Sequence, residues 1–289
     1  MMYPLVRELA ADRIPVAVTC GVLGLCRQAY YRWLASPVTD RDWGDAHTIN
    51  AMLAIHADDP EFGYRFIADE LERAGMATGE NRVQRLCAQQ QLYSATTRKG
   101  RRTKRAGPPV HDDLVQREFD VEQLDRLWLT DITEHPTAEG KLYICAIKDA
   151  CSKRIVGYAT GPRMTSRLAV AALQLAIVRR NPTDTIVVHS DRGSQFRARA
   201  FVATLNSAGL TGSMGRVGAA GDNAAMESFF NLLQTNVLDR QRWATRDDLA
   251  VAVITWIERT YNRRRRQRAL GKLTPLEFET LQQPTATAA

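Results

Sequence analysis

Five cysteines, Cys20, Cys26, Cys87, Cys145 and Cys151, are spread over 289 residues with no Cys-x-x-Cys pair and no His-Cys metal spacing. An odd and scattered set argues against a closed disulfide framework and against a zinc module, and suits a reducing cytoplasm. Long apolar runs are missing as well: none approaches the roughly 18 residues of a membrane-spanning helix. Acids and arginines interrupt the first residues where a secretory signal would need an unbroken apolar stretch. Sustained heptads are absent, so no long coiled coil is expected.

What remains is an ordinary globular composition, 45% hydrophobic and 25% charged, with length for one large or two to three small domains. Lys and Arg number 39 against 32 Asp and Glu, a net charge of +7, and the pI is near 9.3. Such an excess favours polyanions where it is clustered, so the distribution matters more than the total.

The chain is organised around residues 185–234. Ile186, Val187 and Val188 lead through His189 and Ser190 into Asp191, as a strand buried on both faces would. Asp191 therefore stands at the carboxyl end of a parallel strand, where open α/β sheets place their ligands. A Gly-Asp-Asn turn then opens a helix near Asp222. Its spacing puts Asn223, Glu227, Asn231 and Gln234 on a polar face and Phe229, Phe230, Leu233 and Val237 toward a core. Upstream, Leu127 to Thr133 reads as a strand carrying Asp131. Alone, each acid reads equally well as a turn former, a cap or a solvated side chain. Together, three carboxylates supply the hard oxygen ligands that hard divalent ions take.

There are 59 residues between Asp131 and Asp191 and 35 between Asp191 and Glu227. That spacing resembles the D,D(35)E signature of retroviral integrases and related transposases. Three words around the acids, Trp128 to Thr133, His189 to Phe196 and Asp222 to Phe230, are similar to those of the second-frame transposase of the bacterial insertion sequence three family. The resemblance implies an α/β ribonuclease-H-like catalytic core preceded by an all-α helix-turn-helix region. It implies DNA cleavage and strand transfer with two Mg²⁺ (or Mn²⁺) ions, Asp131 bridging both and Asp191 and Glu227 each completing one site. It further implies transposon ends and target DNA as partners, a homo-oligomer in the synaptic complex, and fusion or partnership with the upstream frame's product.

Taken in order, residues 1–36 read as short helices around Tyr30, Tyr31, Trp33 and Leu34. Arg27 and Arg32 are either DNA contacts or the rim of a small helical core. Residues 37–96 form a second helical unit with a break at Gly75. In it, Phe62 to Ile67 and Asn81 to Leu86 resemble the family's helix-turn-helix module, and Arg82 and Arg85 face either DNA or solvent. Residues 97–118 are a basic linker in which Arg101, Arg102, Lys104 and Arg105 could neutralise phosphates without sequence preference.

The catalytic domain, 119–282, is expected as a mixed five-stranded sheet flanked by helices: strands near 125–133, 141–150 and 154–160, helix 166–180, strand 185–190, helix 195–208 and strand 210–214. Ser194 is a candidate cap for the helix at 195, Gln195 a candidate DNA contact, and His189 a structural residue. A basic tail with Arg263, Arg264, Arg265, Arg266 and Arg268 is a candidate contact to the DNA backbone. Residues 283–289 read as a frayed end.

Two positions depart from the family pattern. Gln234 stands where a lysine commonly binds the transposon end, and Gln267 where the tail carries a histidine. Losing the lysine should weaken one phosphate contact, with Gln234→Lys restoring it. Two rivals stay open: a DNA-binding regulator with an idle triad, and a ribonuclease-H-like hydrolase acting on RNA:DNA hybrids.

Overall fold

The computed structural model describes residues 2–60, 62–94, 109–115, 119, 121–215 and 224–282. The chain divides into two compact units, Met1–Ser94 and Ala95–Ala289.

The first unit is helical. α1 (Tyr3–Ala11), α2 (Val16–Val22) and α3 (Arg27–Ala35) close around Tyr3, Val6, Cys20 and Tyr30, with Trp33 packed against them. Tyr31 and Leu34, expected in that small core, are exposed. α4 (Asp40–Asp58), α5 (Tyr64–Arg73) and α6 (Glu80–Gln89) share a second core of Met52, Ile67, Leu71, Val83 and Leu86. Thr39 caps α4 by accepting the N–H of Asp42 at 3.1 Å. The break at Gly75 is a left-handed residue, φ +78°, just past the end of α5, which a side chain would strain.

The second unit is built on a five-stranded sheet in the order β3-β2-β1-β4-β5. β1 (Leu127–Thr137), β2 (Gly140–Asp149) and β3 (Ile155–Gly161) form an antiparallel meander. β4 (Val187–Ser190) and β5 (Thr211–Met214) continue it in parallel with β1. Alternation along β1 divides the core in two. Trp128 turns to a cluster with Leu168, Ala172, Leu173 and Phe201, from α7 (Ser166–Arg180) and α8 (Arg199–Ser207). Leu127 and Leu129 turn to the opposite cluster with Met226, Phe229 and Leu233 of α9 (Ala224–Asn236), and with Leu249 and Val253 of α10 (Arg246–Thr255). α7 comes so close to β3 that a Cβ at Gly157 would collide with the Ala172 carbonyl and the Ala176 side chain.

Two expectations need correction. α8 starts at Arg199, not 195, and Ser194 does not cap it. Phe196 is fully buried beside Phe201, and its N–H closes a turn onto the Gly193 carbonyl at 3.2 Å, so the helix cannot begin until Ala198. The basic tail is not a tail. α10 runs on as a π-helical turn, Trp256–Tyr261, and Asn262 lies buried against β3, accepting from the Ile155 N–H and donating to the Ile155 carbonyl, both at 3.0 Å. α11 (Pro275–Gln282) is anchored by buried Glu279, which accepts from Ser152, Arg154 and Arg180.

Candidate active site

Asp131 and Asp191 are brought together by strand register. Leu129 of β1 pairs with His189 of β4, and each acid lies two residues beyond its partner. The pairing ends at that pair, and Asp191 follows directly after the last residue of β4. Asp131 shares the face of Leu129, which is the face that α9 covers. The buried Cys145 thiol registers both charges. Its pKa is pushed up to about 12, first by burial and then by Asp131 and Asp191, with the Thr130 hydroxyl opposing.

Each aspartate is steadied by nearby backbone. Asp131 Oδ1 accepts its neighbour Ile132 N–H at 2.7 Å. Asp191 Oδ1 accepts the Gly193 N–H at 2.9 Å, and a Cβ at Gly193 would run into both Asp191 and the Gln195 amide. Arg192 ties the same turn to β5 by donating to the Gly215 carbonyl at 2.7 Å. His189 is 2% exposed, bonded to Ser213 Oγ at 3.0 Å and set edge-on to Phe119.

Glu227 is exposed in the first turn of α9. Two polar ties fix its height over the sheet. Lys148, opposite Leu129 in the register, donates to the Ala225 carbonyl at 3.2 Å. Gln234 approaches His135 Nδ1 at 3.5 Å. Glu227 lies between these two contacts along α9. Even so, among the described residues no three His, Cys, Asp or Glu side chains are gathered closely enough to hold a metal ion. The turn expected to introduce Glu227, with Asp222 and Asn223, lies outside the described residues. By donor type the three carboxylates suit a hard divalent cation.

The candidate DNA contacts separate sharply. Arg101, Arg102, Lys104 and Arg105 lie outside the described residues. In the first unit Arg82 and Arg85 grip Asp45 of α4, each at 2.7 Å, which holds the Asp45 carboxyl below its ordinary range. They line an open cleft of about 720 Å³ with Arg41 and Asn81. Gln195 is 9% exposed and folded onto the Asp191 turn, where Ser194 Oγ donates to it. Asn231 is half-buried, and Gln234, expected at the surface, is 9% exposed and donates to Asp239. In this arrangement the Gln234 amide is directed to Asp239. Of the arginine run, Arg263, Arg264 and Arg268 are exposed. Arg265 is half-buried, and its desolvation lowers its pKa to about 10. Arg266 is committed to the Lys272 carbonyl and Glu277.

A mixed sheet carrying two acids in register under a helix that carries a third is the arrangement of an integrase-type core, found in DDE polynucleotidyl transferases. Family comparison agrees. The Integrase core domain matches residues 122–220 and, through a second family of that description, 208–275. An HTH-like domain matches 43–100. The chain is 35% identical to the Insertion element IS600 uncharacterized 31 kDa protein of Shigella sonnei, covering 90% of this chain and 96% of that one. It is 31% identical to Transposase InsF for insertion sequence IS3A of Escherichia coli (strain K12), covering 96% and 98%. The HTLV-2 integrase catalytic core domain, solved in complex with magnesium, is 16% identical over 53% of this chain and 95% of that chain, with a TM-score of 0.41, too slight a likeness to argue from. The chain belongs to the insertion sequence three family of transposases, with an integrase catalytic core. No helix among the described residues is long and apolar enough to cross a membrane.

Lys148 and Glu279 carry no role in the sequence analysis, and Gln195, a candidate DNA contact there, is folded onto the Asp191 turn. The signal for Lys148 was present: a Lys-Asp pair ending an otherwise apolar strand, Ile144 to Ile147. Nothing in the local sequence marks Glu279, whose partners are about 100 residues or more away in the chain.

Proposed function

We propose that this transposase cuts and joins DNA strands at the ends of its insertion sequence in a metal-dependent reaction, with Asp131, Asp191 and Glu227 as the catalytic acids and metal ligands. The observation that supports this reading is the parallel pairing of Leu129 with His189, each two residues before an acid, on a sheet whose Leu127 and Leu129 face packs against α9. Bound there, two Mg²⁺ or Mn²⁺ ions would supply Lewis-acid activation of the attacking oxygen and neutralise charge at the leaving oxygen.

The chain's own residues do the positioning. Gly193 and Ile132 amides orient the two aspartates, the Gln195 side chain fills the turn behind Asp191, and α9 presents Glu227 from above. Exposed Arg263, Arg264 and Arg268, with the basic linker at Arg101, Arg102, Lys104 and Arg105, would neutralise phosphates of the transposon ends and target. Arg82 and Arg85 would act in the first unit, held ready on Asp45. Assembly on DNA as a homo-oligomer, with the upstream frame's product fused or bound, in the bacterial cytoplasm, completes the reading.

The test is strand cleavage and transfer on a labelled duplex carrying the element's end, with Mg²⁺, for wild type and Asp191→Asn. Wild-type activity that disappears in Asp191→Asn is expected. Equal activity in both would remove the acids from the mechanism. One observation favours the regulator reading, namely that the three acids do not close into a metal-holding group. DNA binding without cleavage by wild type, alone and fused to the upstream frame, would establish it.

A further inference from the structure

Lys148 is an unlikely residue for its surroundings. It is 6% exposed on the face of β2 shared with Ile144 and Ala146, both fully buried. Burial disfavours its charged form, lowering its pKa to about 7, with Lys153 adding repulsion. Its ammonium also meets the first turn of α9, the positive end of that helix dipole, where a cation gains nothing. An apolar side chain would fill the same space without either penalty. What the ammonium adds is a directed bond to the Ala225 carbonyl at 3.2 Å, two residues before Glu227.

Glu227 itself makes no ion pair among the described residues, so its placement depends on the helix that carries it. Toward the other end of α9, Gln234 approaches His135 of β1. The helix is thereby strung between two polar ties to the sheet, with Glu227 between them and nearer to Lys148. We propose that Lys148 is a positioning residue for strand transfer, its ammonium holding the first turn of α9 to β2 and so setting Glu227 over Asp131. The inference rests on the catalytic reading above.

The experiment uses the full chain. Lys148→Met keeps the aliphatic stem and removes the donor; Lys148→Gln keeps a donor on a shorter stem. Mn²⁺ binding is followed by electron paramagnetic resonance, amide exchange is followed in peptides covering 224–232, and strand transfer is measured beside them. In Lys148→Met, Mn²⁺ half-saturation should rise about tenfold, as for loss of a residue that orients a ligand. Exchange should quicken in the first turn of α9 while α7 keeps its protection, and kcat should fall with KM for the DNA end unchanged. Lys148→Gln should lie between, and it decides the matter if Lys148→Met does not fold. Wild-type Mn²⁺ binding and wild-type exchange in either variant would overturn the proposal. Asp131→Asn separates the two levels. If it loses Mn²⁺ while Lys148→Met retains it, only the role of Lys148 falls; if it binds Mn²⁺ like wild type, the catalytic reading falls and takes Lys148 with it.

Discussion

Two trios of acids sit in the same sheet domain and are treated in opposite ways. Asp125, Asp149 and Glu279 are wrapped in donors. Arg180 bonds both Asp125 and Glu279, Arg154 bonds Glu279 at 2.5 Å, and Ser152 bridges Glu279 and Asp149. Burial pushes the Asp149 carboxyl up, and the N–H groups of Ser152 and Asp125 pull it back. Asp131, Asp191 and Glu227 are half-buried or exposed, and the bonds seen for the two aspartates run to neighbouring backbone amides. Acids matched by cations inside the protein hold elements together. Acids left half-buried or exposed remain able to take a cation from solution. The first trio is a clasp for α11, and the second is the proposed site.

That contrast can be broken most directly at the site. Asp131→Asn, Asp191→Asn and Glu227→Gln should each lower strand transfer by more than about 10³-fold, several kcal/mol of transition-state stabilisation. Calorimetry should find the thermal midpoint unchanged or slightly raised, because like charges have been removed. A large loss of stability in these variants would erase the distinction between the trios.

The clasp should respond in reverse. Glu279→Ala leaves Arg154 and Arg180 facing a buried gap and should cost about 3–5 kcal/mol of stability, read by urea unfolding. Activity per folded molecule should stay within about twofold, since α11 touches neither aspartate.

A smaller effect concerns Lys148. Its pKa is depressed in the folded chain, from an ordinary 10.5 to about 7. Between those values the unfolded chain binds the extra proton, so stability should rise with pH across that window, with the burial penalty present in full below it. Lys148→Met should flatten that rise in unfolding curves taken from pH 6 to about 10. An undiminished slope would assign the window to other groups.

The smallest effect belongs to the exposed cations. Replacing Arg263, Arg264 and Arg268 together by Ala should leave stability within about 0.5 kcal/mol and reduce the salt slope of DNA binding by up to about three. Replacing Arg266 should behave differently, because that side chain braces the loop between residues 266 and 277.

The parts of this fold written in local periodicity were legible. Helix 166–180 was placed to the residue: it is apolar around most of its circumference and Asn181-Pro182 ends it, Asn181 taking the left-handed turn. The strands were legible because β1 is rich in aromatic and β-branched residues and β2 and β4 carry apolar runs bounded by polar or turn residues. The positions of Asp131 within β1 and Asp191 just past β4 follow from those strands. What failed depended on partners far along the chain. Gln234 falls on the polar side of a helical wheel, yet Asp239 and His135 fold over it. Arg263 to Arg268 read as one basic run, yet Asn262, docked on β3, turns the chain so that Arg265 and Arg266 point inward and the others outward. Ser194 looks like a cap until Phe196 takes its place in the core.

The central claim is that Asp131, Asp191 and Glu227 await a divalent cation. Its most direct test is the thermal midpoint of the full chain with and without Mg²⁺, in wild type and in an Asp131→Asn, Glu227→Gln double variant. Binding to the folded state alone should stabilise wild type by about 2.7 kcal/mol at a hundredfold excess over Kd, with no shift in the double variant. An equal Mg²⁺ shift in both proteins, or none in wild type at any concentration, would contradict the account.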